Sequence, residues 1–134
     1  MRTRVVWLVA LGLALASCGG STATAVGVTE VAPDRAQEVI EEAPAGLVVL
    51  DVRTPEEFAE GHLAGAVNVD FYATDFGDRL AELDPTLPYV LYCRSGNRSG
   101  TTAEMMTELG FEEVYEVDGG ILAWASAGQP VVTP

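Results

Sequence analysis

The chain has little positive charge, little histidine and little cysteine. It contains no lysine, and its 7 basic residues, all arginine, stand against 20 Asp and Glu, for a formal net charge of −13 at pH 7. Nucleic-acid binding requires a basic face, so this balance argues against a nucleic-acid partner. One histidine argues against a histidine-rich metal site, although carboxylates could hold a hard cation. Two cysteines allow at most one disulfide.

The N-terminus has the pattern of an export signal. Two arginines, Arg2 and Arg4, precede an uncharged apolar run over residues 5–16. A helix that spans a bilayer needs about 20 apolar residues, so this run is too short for a stable transmembrane anchor. The pattern predicts a signal peptide. Thr3 separates the two arginines, which favours the general secretory route over twin-arginine export.

The end of this apolar run, Leu15-Ala16-Ser17-Cys18, resembles the lipobox of bacterial lipoproteins. The resemblance implies a signal peptide at 1–17 and lipidation of Cys18. The following stretch is rich in Gly, Ser, Thr and Ala, which predicts a flexible tether at 18–27 before a domain at 28–134. We therefore expect an exported domain, held outside the cytoplasm by lipid on the cell membrane or the outer membrane. The alternative is ordinary secretion, with cleavage near residues 14–16 or 23–25 and Cys18 incidental.

The remaining chain alternates apolar runs with amphipathic segments, which predicts one α/β domain with a parallel sheet. Strands are predicted at 29–31, 47–52, 66–69, 89–92 and 114–117, and helices at 33–42, 55–60, 74–82, 98–109 and 120–127. The runs at 47–52 and 89–92 are almost wholly apolar, so we expect them to be central strands. Thr54, Pro55 and Glu57 form a capping-box pattern that predicts a helix start at Pro55.

The loop after the strand at 89–92 carries the candidate chemistry. It reads Cys93-Arg94-Ser95-Gly96-Asn97-Arg98-Ser99 and opens the next helix. Backbone N–H groups and a helix N-terminus would converge there and stabilise a thiolate. Arg94 and Arg98 add positive charge that would attract a small anion such as thiosulfate. The alternative is a buried structural cysteine at the end of a core strand.

Three separated motifs together resemble the single-domain members of the rhodanese family. They are residues 50–68 with Asp-x-Arg, Gly-His and Gly-Ala-x-Asn elements, the loop at 93–99, and Asp118-Gly119-Gly120 followed by Trp124. The resemblance implies a five-stranded parallel sheet with helices on both faces. It also implies that Cys93 accepts a sulfane sulfur as a persulfide and passes it to a thiophilic acceptor. That chemistry requires neither a metal nor an organic cofactor.

Roles follow for the individual residues. Cys93 is the predicted nucleophile, and Arg94, Ser95, Gly96, Asn97 and Arg98 are the predicted substrate-binding residues. We expect Arg94 to orient an anionic sulfur donor, and Arg98 either to steer it or to close the loop by pairing with a carboxylate.

Other residues are expected to support the fold. Asp51 and Arg53 follow a central strand and are predicted to form a polar brace near the loop. His62, Trp124 and the Met105-Met106 pair are expected to be structural. The acidic pairs are interpreted as solvated surface: Glu41-Glu42, Glu56-Glu57 and Glu112-Glu113.

The sequence is compatible with two functions. The first is a sulfurtransferase that uses thiosulfate or a persulfide as donor, with a thiol acceptor or a thioredoxin-like reductant as partner. The second is a non-catalytic rhodanese-like binding module or sulfur carrier at the cell envelope. Arg98 is the fifth residue after Cys93, which gives a Cys-x4-Arg spacing. Cysteine-dependent phosphatases have Cys-x5-Arg, so the spacing argues against phosphatase activity.

Overall fold

The computed structural model describes residues 27–134, which form one five-stranded sheet. Its strands are β1 (Gly27–Val31), β2 (Val48–Asp51), β3 (Val67–Asn68), β4 (Pro88–Tyr92) and β5 (Glu113–Val117). All neighbouring strands pair in parallel, in the order β1-β5-β4-β2-β3. The predicted five-stranded parallel sheet is therefore confirmed. The signal peptide, Cys18 and residues 18–26 of the predicted tether lie outside the described residues and stay predictions. Gly27, predicted as the last residue of the tether, is instead the first residue of β1, because its amide donates to the Glu112 carbonyl at the start of the pairing with β5.

Residues 27–134 contain five helices, of which four connect successive strands and the last follows β5. They are α1 (Pro33–Glu42), α2 (Pro55–Glu60), α3 (Phe76–Ala81), α4 (Asn97–Glu108) and α5 (Gly120–Ser126). The bounds of α1 and α2 are those predicted, and a proline at the first helical position favours the start of each. Helix α3 begins two residues later than predicted, since Asp70 and Ala73 accept hydrogen bonds in successive turns before it. No helix within residues 27–134 is long and apolar enough to cross a bilayer.

The core lies on both faces of the sheet, and the central strand β4 contributes to both. Tyr89 and Leu91 pack on one face with buried side chains of α3 and α4, and Cys93 continues this row. Val90 and Tyr92 pack on the other face with those of α1 and α5. Alternation along a strand thus places the Cys93 side chain beneath α4, at the carboxyl end of the central strand.

The side chains expected to be structural lie in the core or in local contacts. Trp124 and Met106 are buried, and Trp124 donates its indole N–H to the carbonyl of Pro130 at 2.9 Å. The ring of His62 stacks on Phe58, with 3.8 Å between ring centroids, and its Nδ1 lies 2.9 Å from the Phe58 carbonyl oxygen. These contacts give His62 a packing role at the end of α2.

Candidate active site

The Cys93 sulfur sits inside a cradle formed by its own loop. The Gly96 amide donates a hydrogen bond to Sγ at 3.1 Å, and the Ser99 hydroxyl lies 3.4 Å from Sγ. Gly96 has φ of +107°, a conformation that favours glycine and lets the loop turn back over the sulfur before α4 begins. Because the loop wraps around it, Cys93 is only 1% exposed.

This cradle favours the thiolate. Burial by itself raises the pKa of Cys93, because it penalises the charged form. Hydrogen bonds from the Ser99 side chain and from the amides of Ser99, Gly96 and Ser95 outweigh that penalty, so the pKa falls below its usual value. The site therefore activates a buried thiol, which a merely structural cysteine does not require.

Helix α5 holds the same loop from behind. The amide of Ile121 donates to the Cys93 carbonyl at 2.9 Å, and the amide of Leu122 donates to the Arg94 carbonyl at 3.2 Å. In a trans peptide the carbonyl of one residue and the N–H of the next point in opposite directions. Fixing the Arg94 carbonyl toward α5 therefore turns the Ser95 N–H away from α5 and toward the sulfur, where it stabilises the thiolate.

The close approach of α5 depends on Gly119 and Gly120, which both have positive φ. A Cβ at Gly120 would lie 2.5 Å from the Cys93 carbonyl oxygen and 2.6 Å from the Arg94 carbonyl carbon. Those are backbone atoms of the Cys93 loop and cannot move aside cheaply. Gly119 and Gly120 thus allow the N-terminal end of α5 to pack directly against the loop. This role was not predicted from the sequence.

Arg98 forms a bidentate ion pair with Glu57 of α2. Its two terminal nitrogens donate to the two carboxylate oxygens of Glu57 at 2.7 and 2.8 Å. The guanidinium also lies 5.6 Å from the centroid of the Tyr72 ring. Of the two roles expected for Arg98, this arrangement corresponds to closing the loop, because it ties the start of α4 to α2.

The interpretation of Glu57 as solvated surface is wrong. Its side chain is 24% exposed, and it caps α2 in a reciprocal pair of hydrogen bonds with Thr54 besides binding Arg98. The hydrogen bonds from Arg98 lower the pKa of Glu57 to about 2. Its position in the capping box indicated a structural role for this carboxylate, whereas no local pattern indicated its distant partner, Arg98.

We expect Glu57→Gln to lower the free energy of unfolding by about 1 kcal/mol near neutral pH, since it removes a partly buried, bidentate ion pair. The folded-state pKa of about 2 lies below the ordinary value of 4.5. The stabilisation is therefore complete above that ordinary value and is lost as the pH falls toward the folded-state value. Urea unfolding at neutral pH and at about pH 3, which lies between the two pKa values, measures both the loss and its decrease in acid.

Glu56→Gln is the matched control, because Glu56 is the exposed neighbour on the same helix turn and should change stability little. A difference between wild type and Glu57→Gln that stays constant down to about pH 3 would contradict the role of the ion pair.

The other loop residues lie around the mouth of the site. Arg94, Ser95 and Asn97 are exposed, and Gly96 is partly buried. Arg94 takes part in none of the ion pairs formed within residues 27–134. Its guanidinium is thus the positive group of the loop that is available to an incoming anion.

Asp51 and Arg53 form a buried ion pair behind the strand end. Arg53 donates to both carboxylate oxygens of Asp51 at 2.7–3.1 Å and to the Gly61 carbonyl at 2.7 Å. The Tyr92 hydroxyl donates to Asp51 at 2.5 Å. Because Tyr92 directly precedes Cys93, this is a polar brace beside the loop rather than a contact with the sulfur.

Sequence reasoning missed two buried residues on the α4 side of the site. Ser99 belongs to the loop motif but received no role, and Glu116 lies in β5, where a carboxylate among apolar neighbours was the available signal. Both are buried, and the Ser99 hydroxyl lies 2.8 Å from the Glu116 carboxylate. Within residues 27–134 there is no group of three or more His, Cys, Asp or Glu side chains arranged to hold a metal ion.

Together these features define a class of protein: a parallel α/β domain with an activated thiol in a loop between its central strand and the following helix. Comparison with known proteins makes the assignment specific. The family model described as "Rhodanese-like domain" matches residues 32–127. The chain belongs to this family, as the three sequence motifs predicted.

Relatives and solved structures agree with this assignment. Thiosulfate sulfurtransferase GlpE of Pseudomonas aeruginosa (strain LESB58) is 35% identical over 96 residues, which cover 72% of this chain and 83% of that protein. A protein of Allochromatium vinosum named sulfurtransferase is 34% identical over 88 residues, covering 66% and 80% of the two chains. The crystal structure of a rhodanese-related protein from Thermoplasma volcanium superimposes with a TM-score of 0.68 at 30% identity, covering 78% of this chain and 98% of that one.

Proposed function

We propose that this protein is a sulfurtransferase that moves a sulfane sulfur through a persulfide on Cys93. The observation that carries the proposal is the cradle of loop amides and the Ser99 hydroxyl around a buried sulfur whose pKa is lowered. Names of similar proteins support the same reaction class, since they include thiosulfate sulfurtransferase and sulfurtransferase.

In the first half-reaction the Cys93 thiolate attacks the outer sulfur of thiosulfate. A sulfur–sulfur bond forms to Cys93, the bond between the two sulfurs of thiosulfate breaks, and sulfite leaves with the electron pair. The product is a persulfide whose negative charge resides on the outer sulfur. We expect the loop amides that stabilise the thiolate to share in holding that charge.

Arg94 is the proposed contact for the anionic end of the donor. It is exposed on the loop, and its charge contrasts with a chain whose net charge is −13. Arg98 is already bound to Glu57, so its contribution is to close the loop and to add a fixed positive charge near the sulfur.

In the second half-reaction a nucleophilic acceptor attacks the outer sulfur of the persulfide. A thiolate acceptor becomes a persulfide itself, and Cys93 leaves as the thiolate that began the cycle. Neither half-reaction consumes an electron from outside the donor and the acceptor. A low-molecular-weight thiol or a thioredoxin-like protein fits this acceptor role.

The test is to incubate the full chain with thiosulfate, trap thiols with iodoacetamide and digest with trypsin. Trypsin cuts at arginine, and the chain has no lysine, so Cys93 falls in the peptide 80–94 and Cys18 in the peptide 5–35. The expected result is a gain of about 32 Da, one sulfur atom, on the peptide 80–94, and thiocyanate release once cyanide is added as acceptor.

The control is the same protein alkylated at its thiols before thiosulfate is added, which should gain no sulfur. Absence of both the mass gain and thiocyanate in the untreated protein would overturn the proposal. Sulfur loading on Cys93 without any transfer to cyanide or to a thiol would instead favour the sulfur carrier.

A further inference from the structure

A buried carboxyl group that the proposed reaction does not use lies behind the Cys93 loop. Glu116 projects from β5, is 7% exposed, and has its Oε1 2.8 Å from the hydroxyl oxygen of Ser99. That same hydroxyl oxygen lies 3.4 Å from the Cys93 sulfur. Three polar groups from three different elements therefore form a chain that ends on the nucleophile.

The Ser99 hydroxyl has a single hydrogen for three neighbouring acceptors. These are the Cys93 sulfur, the Glu116 carboxyl oxygen and the Gly96 carbonyl oxygen at 3.2 Å. An ionised Glu116 can only accept, so it would take the hydrogen along the shortest contact and leave the sulfur without it. A protonated Glu116 donates to the Ser99 oxygen instead, and the Ser99 hydrogen is then free to point at the sulfur.

The surroundings of Glu116 favour the protonated form. Burial raises its pKa, a hydrogen bond with Ser99 opposes that shift, and the negative charges of Glu30 and Asp118 raise the pKa further. Glu30 is the register partner of Glu116 on β1, Asp118 follows β5, and the Cys93 thiolate faces Glu116 across Ser99. Glu116 takes part in none of the ion pairs formed among residues 27–134.

We propose that Glu116 is a positioning residue which, in its protonated form, donates a hydrogen bond to Ser99 and so directs the Ser99 hydroxyl onto the Cys93 thiolate. The inference rests on the proposed function, because it concerns the same nucleophile. In this arrangement the negative charge of the cluster formed by Cys93, Ser99 and Glu116 resides on the sulfur, where it can react, and the carboxyl group is neutral.

Three variants separate the possibilities. Glu116→Gln keeps a neutral group with an N–H donor of similar shape, Glu116→Ala removes the donor, and Ser99→Ala removes the hydroxyl. The measurement is the rate at which iodoacetamide alkylates Cys93 as a function of pH, followed on the peptide 80–94 of the full chain. This rate reports the thiolate fraction without requiring any sulfur transfer.

We expect Glu116→Gln to retain the wild-type pH profile within a factor of two, and both alanine variants to shift the apparent pKa of the thiol upward by about one unit. At a pH below the thiol pKa that shift slows alkylation by about tenfold. Infrared spectra should contain the carbonyl band of a protonated carboxylic acid that disappears in Glu116→Gln.

If Glu116 is ionised, Glu116→Gln removes a negative charge beside the sulfur and alkylation becomes about tenfold faster at low pH. That result, a missing carboxylic acid band in wild type, or a Glu116→Ala profile identical to wild type would each overturn the inference. If Glu116→Ala does not fold, the Glu116→Gln profile and the infrared band decide. A protein that transfers no sulfur can still pass this test, so its failure is distinct from failure of the proposed function.

Discussion

Replacing Gly120 by alanine is expected to reduce sulfur transfer by at least about 100-fold, because displacement of positioned groups by about 1 Å has effects of that size. The added Cβ would lie 2.5–2.6 Å from backbone atoms of Cys93 and Arg94, so either α5 or the loop must move. Any such shift breaks the hydrogen bonds from Ile121 and Leu122 that turn the loop amides toward the sulfur.

The same substitution should destabilise the fold by about 3 kcal/mol, through the backbone clash and the strain of a side chain at positive φ. Thiocyanate formation and urea unfolding measure the two effects. Gly128→Ala is the matched control, since Gly128 has φ of +76° but no atom within 4 Å of a Cβ placed there. It carries the strain without the clash. Equal losses in the two variants would contradict the proposed seating of α5 on the loop.

The second large effect is expected for Asp51→Ala. Arg53 is 4% exposed, and once the carboxylate is gone its guanidinium would keep the Gly61 carbonyl as its one hydrogen-bond acceptor among the described residues, with the Tyr92 ring centroid 5.5 Å away. An uncompensated buried charge of this kind lowers the free energy of unfolding by about 3–5 kcal/mol. That is a large part of the roughly 5–15 kcal/mol that stabilises a typical domain, so we expect a much lower urea midpoint or an unfolded chain.

Two further variants separate the buried charge from a general effect of losing an aspartate. Asp84→Ala removes an exposed aspartate that only caps a local turn with Thr86, and it should lower stability by about 1 kcal/mol or less. Combining Asp51→Ala with Arg53→Met should recover part of the loss, because no unpaired charge then remains. Similar midpoints for Asp51→Ala and Asp84→Ala would show that the brace contributes little.

Local signals predicted the fold well because they act within a few residues of the chain. Pro33, and Thr54 with Pro55, fix the starts of α1 and α2, and both helices have the predicted bounds. The start of α3 was predicted too early, because the turns that accept its first amides leave no strong capping pattern in the sequence.

The candidate site likewise combines local features that the sequence predicts with distant contacts that it does not predict. Cys93 and Gly96 belong to one continuous loop, so their proximity could be predicted from a short stretch of sequence. The partners that tune them come from elsewhere: Glu57 meets Arg98 across 41 positions, and Glu116 meets Ser99 across 17. No periodicity or composition reports such pairings, because they exist only once the sheet brings the carboxyl ends of its strands together.

Because side chains alternate along β4, the number of residues in that strand determines which face of the sheet each following side chain reaches. Tyr92 points to the face of Asp51 and Arg53, and Cys93 points to the face of α4 and Ser99, so the buried ion pair and the Cys93 thiol lie on opposite faces of the sheet. An insertion of one residue in β4 would exchange the two faces, whereas an insertion of two would restore them. Whether the number of residues in β4 is odd or even therefore matters to the site as much as the loop that follows the strand.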